Sequence, residues 1–112
     1  VTPTHVFAGL AVSDIAAARS WYERLMGRPP DLVPNAREAS WRLTETGWIY
    51  VDASRSGPSF VTVLVDDLDG WLAEVRGREI ATGPVETLNA GRVRRCVITD
   101  PDGNRIAFGQ AG

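Results

Sequence analysis

Thr99-Asp100-Pro101-Asp102-Gly103-Asn104-Arg105-Ile106-Ala107-Phe108 is the stretch from which the fold is read. Pro101 holds φ near about −65° early in a turn, and Gly103 supplies the positive φ that ends it. The residues that follow alternate, with Ile106 and Phe108 on one face and Arg105 and Ala107 on the other, as a half-buried strand requires. A further strand, Val93–Thr99, leads into the turn, so this end of the chain is a hairpin.

Outward from the hairpin, the chain reads as one unit written twice. Val12-Ser13-Asp14-Ile15 and Val65-Asp66-Asp67-Leu68 stand 53 residues apart. In the first unit, Val6–Val12 is a strand with Val6, Ala8, Leu10 and Val12 on one face and His5, Phe7 and Gly9 on the other. Ser13-Asp14 caps a helix from Ile15 to Met26, and Gly27 with Pro29-Pro30 stops it. Ile15, Ala18, Tyr22 and Leu25 form its apolar stripe. Strands at about Ala39–Thr44 and Trp48–Ala53 follow, joined by Thr44-Glu45-Thr46-Gly47, and Asp31–Asn35 is a candidate edge strand.

The second unit repeats that order. Ser59–Val65 is a strand with Val61, Val63 and Val65 opposite Phe60, Thr62 and Leu64. Asp66-Asp67 caps a helix whose Leu68, Trp71, Leu72 and Val75 fall at helical spacing, and Gly77 ends it. A short strand at Val85–Leu88, a turn at Asn89-Ala90-Gly91 and the closing hairpin complete the unit. Ser54-Arg55-Ser56-Gly57-Pro58 links the two modules, about 1–55 and 58–112, in one domain.

Composition bounds the function. The chain has 112 residues, 44% hydrophobic and 23% charged, with a formal charge of −2, which predicts an ordinary globular domain with a real core. No basic run offers a footprint for nucleic acid. No apolar run approaches the ~20 residues of a membrane span, and Val1-Thr2-Pro3-Thr4 carries no signal-peptide pattern. The single cysteine, Cys96, precludes an intrachain disulfide, fits a cytoplasmic location, and reads as a buried thiol in a strand.

The doubled strand–helix–strand–strand–strand order, the Asp100-Pro101-Asp102-Gly103-Asn104 turn and the Trp21-Tyr22-Glu23-Arg24-Leu25-Met26-Gly27 helix end resemble the vicinal oxygen chelate superfamily, the glyoxalase/bleomycin-resistance/dioxygenase group. The resemblance spans nearly the whole chain. It implies an α+β fold in which two βαβββ modules form a curved mixed sheet with helices on its outer face. It also implies a homodimer.

Metal-dependent members of that group take one ligand from the first and one from the last strand of each module. By resemblance those positions are Phe7, Tyr50, Phe60 and Ala107 here. A divalent ion needs lone-pair donors converging at about 2.0–2.2 Å, and three of these side chains have none. No metal and no cofactor is therefore expected. A displaced site from His5 and Asp52 lacks a symmetric donor, because Pro58 stands where one would be needed.

What remains is an aromatic-lined hollow. Phe7, Trp48, Tyr50 and Phe60, with Trp41 as a further candidate, offer ring faces to a flat or cationic small molecule. Asp52, Thr62 and one of Arg94 or Arg95 would orient it, Arg95 being preferred because that leaves Cys96 and Ile98 facing the helices. The leading expectation is metal-independent binding or sequestration of a small aromatic or cationic molecule, with catalysis unassigned. The alternatives are a metal-independent isomerase or lyase using Asp52 or Tyr50 as acid or base, and a non-catalytic interaction module.

Overall fold

The sequence repeat is a structural one. The computed structural model describes residues 4–112, and the first three residues of the segment considered for a signal peptide lie outside the described residues. The first module comprises β1 (Val6–Ala11), α1 (Ile15–Met26), β2 (Leu32–Asn35), β3 (Glu38–Arg42) and β4 (Gly47–Asp52). The second comprises β5 (Phe60–Leu64), α2 (Leu68–Gly77), β6 (Val85–Leu88), β7 (Val93–Thr99) and β8 (Arg105–Ala111). The candidate edge strand at 31–35 is β2, paired with β3 through an irregular register.

Each module is a four-stranded mixed sheet, ordered β1-β4-β3-β2 in the first and β5-β8-β7-β6 in the second. The first strand of each pairs in parallel with the last, β1 with β4 and β5 with β8, while the other neighbours are antiparallel. A parallel partner must be reached by a crossover, and the helix of each module lies on that path. Among the described residues β1 and β5 share no ladder, so the mixed sheet is divided by a seam between its two halves.

Local sequence sets the helix ends. Asp14 accepts a hydrogen bond from the Ala17 amide at 3.1 Å, and Asp67 accepts from Gly70 at 3.0 Å. Gly27 ends α1 at φ +77°. The second helix ends at Gly77, as the sequence predicts, but Gly77 is its last helical residue and Glu79 takes the positive φ of +64°. Beside it, the Arg78 guanidinium reaches across to the other module and donates to the carbonyls of Arg24 and Leu25. Those are orphan acceptors of the last turn of α1, so one module caps the helix of the other.

The core lies between the sheets and the helices. Leu10, Val12, Tyr22, Leu25, Trp41, Ile49 and Val51 from the first module join Leu68, Leu72, Val75, Cys96, Ile98, Ile106 and Phe108 from the second in one cluster. Trp71 packs on Phe108 at 5.0 Å between ring centroids. The apolar stripes and strand faces read from the sequence are the ones that face the core, except at Val6, which is 69% exposed at the start of β1.

A buried polar network closes one end of the seam, and the Asp100–Asn104 turn supplies it. Asp100 accepts from the backbone of Asp102 and Asn104, from the Asn104 side chain, and from the Tyr22 hydroxyl of α1 at 2.9 Å. Asn104, fully buried, also donates to the Ala11 carbonyl and accepts from the Ser59 amide. Asp102 accepts from the Ser13 amide. Burial first, and then the Asp100 carboxylate, push the Tyr22 hydroxyl far above its ordinary pKa, so it remains a donor. The turn that marks the fold in the sequence is therefore a clasp between the modules.

Candidate functional site

The sheet faces turned away from the helices carry the candidate site. In β1, Phe7 and Gly9 alternate with residues directed at the core. Phe7 lies opposite Trp48, Gly9 opposite Tyr50 and Ala11 opposite Asp52. Beyond them in β3, Glu38, Ser40 and Arg42 pair with Asp52, Tyr50 and Trp48. In the second module Phe60 lies opposite Arg105, Thr62 opposite Ala107 and Leu64 opposite Gly109, with Val97 and Arg95 next in line.

On the first face the aromatics form a ladder. Phe7 stacks on Trp48 with centroids 5.6 Å apart and planes 20° apart, and the His5 ring centroid lies 6.5 Å from that of Phe7. Phe7 is 53% exposed, so one face of the ladder is open to a ligand. The hydroxyl end of the Tyr50 ring lies against Gly9, where a β-carbon would fall 2.5 Å from the ring. Glycine at that position is what lets the ring settle on the strand. The Indole Nε1–H of Trp48 is buried and has no partner.

Asp52 is 3% exposed, and its oxygens are committed locally. One accepts from both the amide and the hydroxyl of Ser54, at 2.8 and 2.5 Å, and the other faces Arg55 Nε at 3.3 Å. The Ser54 hydrogen bonds, and secondarily Arg55, hold the carboxyl below its ordinary pKa. Arg55 in turn sits 5.5 Å above the Tyr50 ring. Sequence reasoning missed Arg55 because it lies in the linker, where no periodicity assigns a direction. On the second face Arg105 similarly covers Phe60 at 5.2 Å.

The two arginines of β7 separate as alternation requires. Arg94 turns to the helix side and pairs with Asp69 of α2 at 2.9 Å. Arg95 lies on the open face near Glu86 at 3.8 Å, and its Nε–H is buried without a partner.

Trp41 departs from the sequence expectation. It is fully buried, packs 5.8 Å from Tyr22, and donates through Nε1 to the Arg28 carbonyl. The β3 alternation that sends Ser40 and Arg42 to the open face sends Ala39 and Trp41 to the core. Trp41 thus belongs to packing and leaves the ligand set. The other candidates fall into two groups, Phe7, Trp48, Tyr50 and Asp52 on the first sheet and Phe60, Thr62 and Arg95 on the second. Among the described residues, no three His, Cys, Asp or Glu side chains gather as a metal site would need.

The family model of the Glyoxalase/Bleomycin resistance protein/Dioxygenase superfamily matches residues 3–108, nearly the whole chain. The chain belongs to this superfamily. A glyoxalase/bleomycin resistance protein from Catenulispora acidiphila is 37% identical, with a TM-score of 0.89 over 98% of this chain and 100% of that one. The fold is shared with a lactoylglutathione lyase from Agrobacterium tumefaciens, at 18% identity and TM-score 0.78, covering 96% of this chain and 94% of the other. It is also shared with a bleomycin-binding protein complexed with bleomycin, at 17% identity and TM-score 0.74, covering 96% and 98%. No curated protein matches the chain. No helix among the described residues is long and apolar enough to cross a membrane.

The superfamily resemblance places a metal at Phe7, Tyr50, Phe60 and Ala107, and this chain's residues do not fit one. Phe7 and Phe60 offer hydrocarbon rings, Ala107 a methyl group, and Tyr50 lies beneath Arg55. A guanidinium over that ring is poor company for a divalent cation.

Proposed function

We propose that this superfamily member binds a small flat aromatic molecule on its open sheet faces, without a metal and without changing the ligand. The observation that carries this reading is the half-exposed Phe7 stacked on Trp48 at a position where the superfamily resemblance implies a metal ligand. Aromatic faces provide dispersion and quadrupole contacts to a planar partner at small conformational cost. The open Phe7 face would receive the ligand ring, and the partly exposed Arg95 guanidinium on the second face would orient an acceptor. A cationic ligand is supported less well, because Arg55 and Arg105 already lie over Tyr50 and Phe60 and would have to be displaced. The state of Asp52 also favours binding over acid–base catalysis. A carboxyl held low by Ser54 and Arg55 is a weak base with its lone pairs engaged.

In this proposal the protein acts as a homodimer in the cytoplasm. Phe7, Phe60 and Leu64 are 53%, 49% and 64% exposed on the open faces, and a second copy would cover them and enclose the ligand. Light scattering then gives twice the chain mass of 12.2 kDa, and a 12.2 kDa species at micromolar concentration rejects the dimer.

The binding reading is tested by thermal shift against bleomycin and a panel of planar aromatic antibiotics and metabolites, since a ligand of the native state raises the midpoint. Phe7→Ala weakens the binding of any hit by about 1–3 kcal/mol, the scale of one stacked anchor, and leaves the fold intact. A hit whose affinity is the same in Phe7→Ala and Tyr50→Ala refutes binding on this face.

A further inference from the structure

The C-terminal end of α1 carries a concentration of arginines that the sheet-face reading does not use. Ser20, Glu23 and Arg24 lie on one face of α1, and the C-cap Gly27 continues that face at the i, i+3, i+4, i+7 spacing. With Arg28 and with Arg78 of the other module, these residues line a hollow of about 370 Å³. The Arg78 guanidinium is fixed there. Its Nε and Nη2 donate to the Arg24 and Leu25 carbonyls, while its Nη1 has no partner among the described residues. A β-carbon on Gly27 would fall 3.0 Å from Arg78 Cζ and 3.1 Å from Nη1, so glycine is what gives the guanidinium its place.

A helix C-terminus ordinarily repels anions, because its last four carbonyls are orphan acceptors. Here three of those four are satisfied. Glu23 accepts from the Gly27 and Arg28 amides, and Arg24 and Leu25 accept from Arg78. The donors that remain point to an anion. Arg24 is exposed, and its side chain has no partner among the described residues. Arg28 uses only Nη2, toward Asp31 at 3.0 Å and the Arg42 carbonyl, and its side chain is 45% exposed. The one acid in the lining, Glu23, is held by Arg19 Nε at 3.0 Å. Among the lining residues and their ion-pair partners, four guanidiniums (Arg19, Arg24, Arg28, Arg78) stand against two carboxylates (Glu23, Asp31). That is a surplus of two positive charges in a chain whose formal charge is −2.

We infer that this hollow is an anion site for a tetrahedral dianion, the phosphate group of a small molecule or the free ion. A phosphate presents several oxygens in different directions and can accept from Arg24, Arg28 and Arg78 together. A carboxylate has one charge and two oxygens, and suits a single guanidinium fork. The site joins arginines of both modules, so a bound phosphate adds to the inter-module contact that Arg78 already makes. It lies at the helix ends and shares no residue with the sheet faces, so it stands or falls independently of the ligand proposed there.

The test is calorimetric titration of the full chain at low ionic strength and about pH 8, where phosphate is a dianion. The probes are inorganic phosphate, phenyl phosphate and acetate. Saturable binding of one phosphate per chain is expected, with acetate at least about tenfold weaker. Arg24→Gln removes a side chain that holds nothing else in place, and weakens phosphate about tenfold, the scale of one charge-assisted contact. Arg92→Gln removes the same charge from the exposed β6–β7 turn and changes the affinity less than about twofold. Glu23→Gln tightens binding. In the unmodified chain the Arg78 Nε–H resonance shifts as phosphate is added. Phenyl phosphate binding at least as tightly as phosphate identifies an ester as the source, and binding of inorganic phosphate alone identifies the free ion. The inference is overturned if neither phosphate binds saturably, if acetate binds as tightly, or if Arg24→Gln changes the affinity no more than Arg92→Gln does.

Discussion

Asn104→Ala removes the pivot of the clasp, and its cost follows from the contacts. Three hydrogen bonds are lost: to the Ala11 carbonyl at 2.5 Å, to Asp100 at 2.8 Å and from the Ser59 amide at 2.6 Å. Asn104 is fully buried, so water does not replace it without rearrangement. The bond to the carboxylate is worth about 1.5–3 kcal/mol and the neutral pair about 0.5–1.5 kcal/mol each, so the expected loss is about 3–5 kcal/mol. Against a total of about 6–17 kcal/mol for a domain of this length, that is a large fraction. The melting midpoint should fall by about 12–20 °C, and urea unfolding should move in parallel. Asn104→Asp provides a sharper version. It keeps the acceptor for Ser59 but sets a carboxylate oxygen against the Ala11 carbonyl and Asp100. Its damage is therefore greatest near neutral pH and eases in acid, where the new carboxyl regains a proton to donate. If Asn104→Ala costs less than about 1 kcal/mol, the clasp does not hold the modules together and the account of the motif is wrong.

Other consequences can be measured separately. Gly9→Ala drives a methyl group into the Tyr50 ring, so the ring must leave the strand. The Tyr50 ring resonances should shift by NMR, and unchanged resonances refute the close approach. Asp52 has a folded pKa below its unfolded value. The stability it contributes is present above the ordinary carboxylate pKa of about 3.9 and is lost as pH falls through the lower folded value. Ser54→Ala should raise the Asp52 midpoint in a carbon-detected titration, and a wild-type midpoint at or above the ordinary value contradicts the geometry. Burial raises the Cys96 thiol pKa, so a disulfide reagent should label it at pH 7 only after unfolding. Rapid labelling of the native protein would show that the strand interior opens.

Most of the fold was legible because it is written in short-range periodicity. The two-residue alternation of Val61, Val63 and Val65 and the helical spacing of Leu68, Leu72 and Val75 state which side is buried, and the burial agrees. Asp14, Asp67 and Gly27 mark helix ends through bonds within a few residues. Trp41 shows the limit. It was a candidate for the ligand hollow, and its charged neighbours Glu38 and Arg42 are poor company for a core residue, yet alternation with Ala39 puts it in the core. Composition around a residue was a poorer guide than its parity in the strand.

The amino-acid sequence by itself determined the two βαβββ modules, the faces their strands bury, the superfamily resemblance and the side chains at its four metal positions. Each of these depends on residue type and on spacing along the chain. Tertiary structure decided what the modules do to each other. It took Asp100 to Tyr22, 78 residues away, and Arg78 to the end of α1. It seated Arg55 over Tyr50. None of these has a sequence period, because a side chain finds such a partner only after two independently folded surfaces have docked, and the docking geometry is set by the summed packing of the whole core.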